Sequence, residues 1–451
     1  MNRIATLVKN IISPEAPIGL PSSGVYSFTR QTLNEKSKIH LRIDADQHAI
    51  LLVNASRILH LNPTAALMAY FALNQTPVDQ VGRAISTTYK VRRKQAIADY
   101  AQFAEQLDEM LRPDGACPIH DLGLETIPPF SARPSAPYRM DLALTYRCNN
   151  DCAHCYNARP RSFPELSTAQ WKNVLDRLWD LGIPHIVFTG GEPTLRADLP
   201  ELVAHAQQLG QITGVNSNGR RFADQQYLLQ LIEAGLDHVQ ITLESHDPTI
   251  HNQMVKSDHA WEQTVDGIRN VVDSSLYVMT NTTLLRQNSP YLEQTLGFLS
   301  ELRVPTIGLN ALIYAGKGRE IDSGIPEEEL HSLLEIARKL TGENQQRLIW
   351  YTPTQYCNFD PVQMELGVKG CTAALYSMCI EPNGDVLPCQ SYYQPVGNLL
   401  TDPWESIWQH PLCAALRERQ VVPQKCHHCA FLSECGGGCP LYHQEFSNSG
   451  G

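Results

Sequence analysis

From Met140 to about residue 345, short apolar segments alternate with amphipathic ones. Six apolar segments have the composition of buried strands: DLALTY, HIVFTG, QITGVNS, HVQITLE, YVMTNTTLL and TIGLNAL. The segments between them, such as STAQWKNVLDRLWDLG and LPELVAHAQQLG, have the spacing of helices. This alternation predicts an α/β fold, a partial (β/α)6 barrel of the TIM type with a parallel sheet and right-handed crossovers. In such barrels the functional residues lie at the C-terminal ends of the strands.

Three cysteines follow the first of these strands. Cys148, Cys152 and Cys155 have the spacing C-x3-C-x2-C within TYRCNNDCAHCY. Three thiolates can bind three irons of a cubane 4Fe–4S cluster and leave the fourth iron open to another ligand. A zinc knuckle is the alternative, but it needs a fourth Cys or His close by, and His154 lies between two of the cysteines.

Polar residues and glycines also end the later strands. The second strand ends in Gly190-Gly191-Glu192-Pro193, where paired glycines let the backbone approach a ligand. The Glu192 carboxylate can accept a hydrogen bond from an ammonium group. Four further candidates at strand ends are Asn218, Thr242, Glu244 and Asn281. We expect all of them at the mouth of the barrel.

The cysteine spacing, followed one β/α unit later by GGEP, resembles the radical S-adenosylmethionine (SAM) enzymes. In that family the open iron chelates the amino and carboxylate groups of SAM, and one electron then releases a 5′-deoxyadenosyl radical. The resemblance implies that Cys148, Cys152 and Cys155 bind this cluster. It also implies SAM contacts from His154, Gly190, Gly191, Glu192, Asn218, Thr242, Glu244 and Asn281. Many relatives carry an arginine after the fourth strand, where this chain has Lys256 as the available cation.

A second group of cysteines lies beyond residue 370. The spacings are C-x12-G-x4-C from Cys371 to Cys389, then C-x2-C-x5-C-x3-C from Cys426 to Cys439. They resemble the SPASM domain, which adds two auxiliary 4Fe–4S clusters to peptide-modifying radical SAM enzymes. The resemblance implies that the first auxiliary cluster is bound by Cys371, Cys379, Cys389 and Cys439. It implies that the second is bound by Cys426, Cys429 and Cys435.

The fourth ligand of the second auxiliary cluster is left open, because no cysteine follows Cys439 in this sequence. His443, Glu445 or Cys413 could bind it, or one iron could stay open. Cys357 could replace Cys379 or Cys371 in the first cluster. A zinc ribbon is the alternative for the segment from Cys426 to Cys439. Gln390 stands where sulfatase-maturing relatives place an aspartate, which disfavours formylglycine chemistry.

Residues 1–112 read as three strands followed by three helices, which predicts a winged-helix domain. The stretch from LLVNASRILHLNPTAALM to IADYAQFAEQL resembles the PqqD-like domain that binds precursor-peptide leaders. A DNA-binding winged helix is the alternative, since Lys90, Arg92, Arg93 and Lys94 begin the third helix. Six prolines make residues 113–138 a linker, and we take its Cys117 and His120 as incidental.

Composition narrows the possible partners. The net charge of −11 over 451 residues argues against nucleic acid as the main partner. No apolar run reaches membrane-spanning length and no signal-peptide pattern is present, so we expect a cytoplasmic protein without a membrane partner. Most of the 13 cysteines fall into two groups, which favours metal binding over disulfides.

These patterns predict four regions: residues 1–112 for peptide recognition, 113–138 as linker, 139–345 as radical SAM barrel and 346–451 as SPASM domain. The predicted enzyme uses SAM and three 4Fe–4S clusters, with a flavodoxin or ferredoxin as reductant. It would bind the leader of a ribosomally made precursor peptide and form a thioether or carbon–carbon cross-link in its core. The alternatives are a radical SAM enzyme acting on a haem precursor or a protein residue, and a non-catalytic metal-bearing peptide-binding protein.

Overall fold

The computed structural model describes residues 20–31, 36–54, 57–111, 133–159 and 161–447, without the side chains of residues 31, 36, 57 and 444–447. The chain divides into two compact units, residues 1–126 and 127–451. Residues 113–132 of the predicted linker, with Cys117 and His120, lie outside the described residues.

The first unit contains four strands and three helices. The strands are β1 (Gly24–Gln31), β2 (Lys36–Ile43), β3 (Ala49–Val53) and β4 (Arg57–Leu61). The helices are α1 (Pro63–Leu73), α2 (Val78–Tyr89) and α3 (Arg93–Met110). The strands pair antiparallel in the order β1-β2-β3-β4. The strands and helices predicted from the sequence are all found, and β1 is an additional strand.

The first unit has its own apolar core between the sheet and the helices. Leu41 and Leu51 face each other across β2 and β3 and are fully buried, as are Phe71 of α1 and Val81 of α2. Helix α1 begins where the sequence predicts, because the Asn62 side chain caps the amide of Ala65 and proline occupies the first helical position. β1 was not predicted, although Tyr26 and Phe28 alternate with polar residues as strand residues do; both aromatic residues are partly buried.

The second unit begins as a series of β/α repeats. Its elements up to residue 343 are β5 (Arg139–Thr145), α4 (Thr168–Asp180), β6 (His185–Gly190), α5 (Leu199–Leu209), β7 (Ile212–Ser217), α6 (Gln225–Glu233), β8 (His238–Thr242), α7 (Pro248–Val255), α8 (Ala260–Val272), β9 (Tyr277–Leu284), α9 (Leu292–Glu301), β10 (Thr306–Ala311) and α10 (Glu327–Glu343). The elements that follow are β11 (Arg347–Trp350), β12 (Ser377–Ile380), β13 (Val386–Leu387), α11 (Trp404–Trp408), α12 (Pro411–Arg417), α13 (Leu432–Cys435) and α14 (Pro440–Ser447).

One sheet of nine strands organises the second unit, in the order β11-β10-β9-β8-β7-β6-β5-β12-β13. Strands β5 to β11 run parallel, which confirms the six predicted repeats and adds β11 as a seventh strand. β12 pairs parallel with β5, and β13 returns antiparallel beside it. The cysteine-rich region therefore extends the sheet at the edge next to the strand that precedes Cys148.

Helices cover one face of this sheet and bury it. β5 and β6 are buried along almost their whole length, and Trp171 and Phe188 are fully buried between them and the helices. Helix α4 starts at a capping box in which Ser167 and Gln170 satisfy each other's backbone amides. Among the described residues, no helix has the length and apolarity needed to cross a membrane.

Candidate active site

The loop after β5 brings Cys148, Cys152 and Cys155 together. Burial raises the pKa of Cys148 to about 11, and the negative charges of Glu192 and Cys155 add to the shift. Burial also raises the pKa of Cys152, and both of the other thiolates repel its charge. The three thiols are therefore near neighbours, and each must lose its proton to bind iron.

Three thiols are the ligand set expected for a cubane cluster with one open iron. Within the described ranges, no three Cys, His, Asp or Glu side chains are placed to hold one metal ion. A cubane cluster is wider than one ion, because each of its irons takes its own thiolate. The site also carries positive charge close by, since Lys317 pairs with Asp151 and its amide donates to the Cys155 carbonyl.

The glycine turn after β6 lies directly against the cysteine loop. The Gly191 amide donates to the Thr145 carbonyl over 2.7 Å, and the Glu192 amide donates to the Arg147 carbonyl over 2.9 Å. Gly190 has a φ of +131°, and a Cβ there would lie 2.1 Å from the Thr145 oxygen. Only glycine permits so close an approach. The sequence analysis expected the paired glycines to let the backbone approach a ligand, and in the structure Gly190 lets it approach the Thr145 carbonyl.

Gly191→Ala is expected to disrupt this turn. The new Cβ would lie 2.4 Å from the Arg147 carbonyl oxygen and 2.7 Å from that of Tyr146, and both are backbone atoms of the cysteine loop. We expect destabilisation of about 1–3 kcal/mol, as for overpacked cores, together with a lower iron content. Anaerobic thermal unfolding and iron analysis test this. Gly297→Ala is the control, because nothing lies within 4 Å of its Cβ in helix α9. Equal unfolding temperatures and iron contents in Gly191→Ala and Gly297→Ala would contradict the steric argument.

Glu192 joins the turn to the next strand. Its side chain is completely buried and accepts hydrogen bonds from the Thr194 amide, the Ser217 hydroxyl and the Asn218 amide. Burial raises its pKa, and these donors oppose the shift. Within the part of the chain that the structure describes, the oxygen that faces Asn218 accepts one bond, from the Asn218 amide, over 2.8 Å.

His154 and Glu244, predicted separately, are in direct contact. His154 Nε2 lies 2.9 Å from Glu244 Oε1, and the Thr283 amide donates to Glu244 Oε2. Both side chains are at least nine-tenths buried. The contact fixes the imidazole ring while its Nδ1 atom stays buried without a hydrogen-bond partner. Asn281 Oδ1 is likewise buried without a partner. These two atoms can contact a ligand such as SAM. Thr242 pairs with Asn281 in the β8–β9 register and is partly buried.

His251 holds the backbone of Glu244 and creates a pH dependence. Its Nδ1 accepts from the Glu244 amide over 3.2 Å, and burial lowers its pKa to about 4. The unfolded chain therefore binds more protons below pH 6.5, so stability falls as the pH falls. We expect roughly 1 kcal/mol to be lost through this group between pH 8 and pH 6. The unfolding midpoint of the wild type should fall further over this range than that of His251→Asn. If the unfolding midpoints of the two proteins fell equally between pH 8 and pH 6, His251 would not be the source of the pH dependence.

Arg220 is a site residue that sequence reasoning missed. Its guanidinium donates to the Asn149 carbonyl, to Asn150 Oδ1 over 2.7 Å and to the Ser257 hydroxyl over 2.9 Å. Asn218 Nδ2 also reaches Asn149 Oδ1, over 2.7 Å. An arginine after β7 therefore supplies a cation beside the cysteine loop. The one feature of the sequence that could have indicated Arg220 is its position directly after Asn216-Ser217-Asn218-Gly219, at the end of β7.

A cluster of charged and aromatic residues was also missed. Glu381, after β12, accepts from Tyr146 Oη over 2.8 Å and from Arg159 Nη2 over 2.6 Å. Arg161 stacks on the Tyr146 ring, 3.3 Å from its centroid, and Arg159 on the Tyr393 ring, 4.0 Å from its centroid. Arg161 Nη2 is buried without a hydrogen-bond partner. The two arginines just after Cys155, Arg159 and Arg161, were the sequence feature that could have indicated a buried carboxylate partner.

Three of the four cysteines predicted for the first auxiliary cluster are near neighbours. Burial raises the pKa of Cys389 to about 12, and the charges of Cys371 and Cys439 add to it. Burial raises the pKa of Cys439 to about 12 as well, with Cys371 adding to it. Cys379 lies in β12, is 1% exposed and has Cys389 as an electrostatic neighbour. Its role as the fourth ligand stays a prediction.

The second predicted set is Cys426, Cys429 and Cys435. Both Cys429 and Cys435 interact electrostatically with Cys426. Cys413, in helix α12, is fully buried in the apolar core of the second unit. Cys357, which the sequence offered as a possible replacement for Cys379 or Cys371, has Cys426 and Cys435 as electrostatic neighbours. The loop after β11 contacts Cys435 through the Tyr356 amide, a contact that the sequence could not indicate.

The comparisons agree with this geometry. Residues 142–299 match the radical SAM superfamily, and residues 371–430 match SPASM, an iron–sulfur cluster-binding domain. Fe-coproporphyrin III synthase of Methanosarcina barkeri is 29% identical over 65% of this chain and 81% of its own length. AdoMet-dependent heme synthase of Oleidesulfovibrio alaskensis is 26% identical over 65% of this chain and 80% of its own length.

Two solved structures share the fold over most of the chain. Streptococcus suis SuiB bound to SAM is 17% identical, with a TM-score of 0.66 over 90% of this chain and 95% of SuiB. SuiB bound to its precursor peptide SuiA is 15% identical, with a TM-score of 0.66 over 93% and 97% of the two chains. The two family matches show that the chain carries a radical SAM domain over residues 142–299, which includes the cysteine loop after β5, and a SPASM domain over residues 371–430, and that it is a radical SAM enzyme.

Proposed function

We propose that this enzyme modifies a ribosomally made precursor peptide whose leader binds to the first unit. The observation that carries the proposal is the first unit itself, a four-stranded antiparallel sheet followed by three helices. A fold match to SuiB that covers 93% of this chain supports it, and that SuiB structure is bound to its precursor peptide. The division proposed from the sequence assigns residues 1–112 to leader binding, 139–345 to the barrel and 346–451 to the auxiliary clusters.

The leader would add a strand to an edge of the first sheet. Among the described strands, β1 and β4 are the two edge strands of that sheet, the positions at which an extended peptide can add. β4 also exposes 41% of the Ile58 side chain, an apolar contact for a peptide. Main-chain hydrogen bonds would give affinity, and tethering would raise the effective concentration of the core peptide at the barrel.

In the second unit, we propose that Cys148, Cys152 and Cys155 bind the cluster and that the strand ends hold SAM. When bound, SAM and this cluster supply a radical that removes a hydrogen atom from the substrate. The Glu192 carboxylate would accept from the amino group of SAM, and His154 and Asn281 would contact it through their unpartnered atoms. Auxiliary clusters at the remaining cysteine sets would accept an electron as a cross-link closes, and a flavodoxin or ferredoxin would supply the starting electron.

A tetrapyrrole substrate is the second candidate. The two curated relatives are, by name, an Fe-coproporphyrin III synthase and an AdoMet-dependent heme synthase, at 29% and 26% identity. Tetrapyrroles of this class carry carboxylate side chains, and Arg161 has a buried nitrogen without a hydrogen-bond partner. Formylglycine formation is disfavoured, because Gln390 accepts a hydrogen bond from Tyr156 over 3.0 Å and an amide cannot act as a base.

The experiment gives the reduced, anaerobic enzyme one substrate class at a time. Synthetic peptides encoded by short reading frames beside its gene test the first candidate, and iron-coproporphyrin III tests the second. We expect a peptide to increase 5′-deoxyadenosine formation and to lose two hydrogens in mass, as closing a cross-link requires. Conversion of iron-coproporphyrin III without any peptide product would contradict the proposal and support the second candidate.

A further inference from the structure

The second auxiliary cluster would be bound by three thiolates, those of Cys426, Cys429 and Cys435. A cubane whose four irons all have protein ligands needs four. Cys439, the next cysteine along the chain, interacts electrostatically with Cys371 and Cys389 and so belongs to the other set. A fourth thiolate for this set, among the described residues, therefore has to come from another part of the fold.

The loop after β11 lies against this set. The Tyr356 amide donates to Cys435 Sγ over 3.4 Å, and Cys435 Sγ donates to the Thr354 carbonyl over 3.5 Å. Cys357 is the next residue, and its Sγ lies 3.9 Å from Nζ of Lys425, the neighbour of Cys426. Cys357 therefore approaches both ends of the set, and its negative charge adds to the raised pKa of Cys426 and of Cys435.

The loop that carries Cys357 is held in place on either side. The carboxylate of Glu327, which is 2% exposed, accepts from the Gln355 amide over 3.1 Å and from Asn358 Nδ2 over 2.8 Å. The Lys369 amide donates to Tyr356 Oη over 3.0 Å. These contacts position the Cys357 backbone in advance, so that binding a cluster need not order the loop.

The other candidate ligands are hydrogen-bonded, buried in the apolar core or outside the described residues. His443 Nδ1 lies 3.0 Å from Gln355 Nε2, and its Nε2 contacts the Gly437 carbonyl. Cys413 is fully buried in the apolar core. The side chain of Glu445 lies outside the described residues. Cys357 is an exposed thiol whose Sγ donates weakly to Gln355 Oε1 over 3.5 Å and to Asn358 Oδ1 over 3.7 Å, contacts that a thiolate ligand would give up, and it lies 3.9 Å from Lys425 Nζ.

We propose that Cys357 is the fourth ligand of a 4Fe–4S cluster bound by Cys426, Cys429 and Cys435. A cluster with four protein thiolates has no open iron for a substrate, so its role is electron transfer. The Lys425 ammonium beside Cys357 offsets part of the negative charge of the four thiolates. This inference concerns the cluster set and holds whichever substrate the enzyme takes.

The first test uses Cys357→Ala in full-length enzyme that also lacks the SAM-cluster cysteines Cys148, Cys152 and Cys155. This background should hold about eight irons in two cubanes. Cys357→Ala should lose between one and four of them, and a three-iron EPR signal should appear on oxidation if one iron leaves. His443→Ala and Cys413→Ala are the controls and should keep the iron content and spectrum of the background. Unchanged iron with Cys357→Ala, or loss with His443→Ala instead, would overturn the proposal.

Alkylation of the wild-type enzyme provides a second test that needs no variant. An exposed free thiol reacts with N-ethylmaleimide, whereas a thiolate bound to iron is protected. Cys357 should resist alkylation in the loaded enzyme and react after the clusters are removed by chelation. Rapid labelling of Cys357 in enzyme with all its irons would overturn the proposal. So would a stoichiometric zinc in place of four irons, because a tetrathiolate site also suits zinc.

Discussion

Cys148→Ala is expected to abolish 5′-deoxyadenosine formation and to remove about four of about twelve irons, since each cubane holds four. The Cys148 thiol lies beside Cys155 and Glu192, and its sulfur accepts from the Asn150 amide over 3.4 Å. Without it, two cysteines remain to hold a cluster that already has one open iron. Anaerobic iron analysis and a deoxyadenosine assay with dithionite and SAM measure both effects.

Two comparisons separate loss of the cluster from loss of the fold in Cys148→Ala. Cys413→Ala also removes a thiol from the second unit, yet this residue is buried in the apolar core, so the variant should keep its iron and activity. The first unit does not contain Cys148, so peptide binding by full-length Cys148→Ala should match the wild type. SAM cleavage that persists in Cys148→Ala would disprove the assignment of this loop.

Glu381→Ala is expected to destabilise the second unit by about 3–5 kcal/mol, because it leaves buried cations without their partner. Glu381 is 1% exposed, lies 2.6 Å from Arg159 Nη2 and 3.6 Å from Arg161 Nε, and accepts from the Tyr146 hydroxyl. Arg161 is only 9% exposed, so water cannot replace the carboxylate. Anaerobic denaturation of the loaded enzyme measures the loss.

Glu329→Ala is the matched control for Glu381→Ala. Glu329 also pairs with an arginine, Arg286, over 3.2 Å, but both side chains are more than half exposed. Solvent and salt screen such a pair, so its loss should cost less than about 1 kcal/mol. Similar losses in the two variants would show that burial does not control the energy of the Glu381 cluster. Arg159 and Arg161, which Glu381 binds, directly follow the cysteine loop in the chain. We therefore also expect Glu381→Ala to slow SAM cleavage.

The barrel could be predicted because its pattern is local. Each of the six strands predicted from apolar runs is present, and each is followed by a helix. The same holds for the cysteine loop and the Gly190-Gly191-Glu192 turn, which are contiguous in the sequence and follow neighbouring strands. Since parallel strands end at one edge of a sheet, their order alone placed these residues together.

Contacts between residues far apart in the chain could not be predicted in this way. Arg159 meets Glu381 across more than two hundred positions, and Cys357 lies near Cys435 because β11 directs the following loop there. No periodicity in the sequence carries this information, since such contacts depend on how β12 joins the edge of β5.

The sequence by itself determined the radical SAM fold, the cysteines of the cluster loop and the glycine turn beside it, because short-range patterns of burial and spacing specify them. Only the tertiary structure showed that the Cys357 loop lies beside Cys426 and Cys435, which arginine lies beside the cysteine loop, and which carboxylate pairs with Arg159 and Arg161. Those pairings arise when separate β/α units and the cysteine-rich segment pack against one another. Their energies come from burial and from distances between charges, which the packing of the folded chain sets.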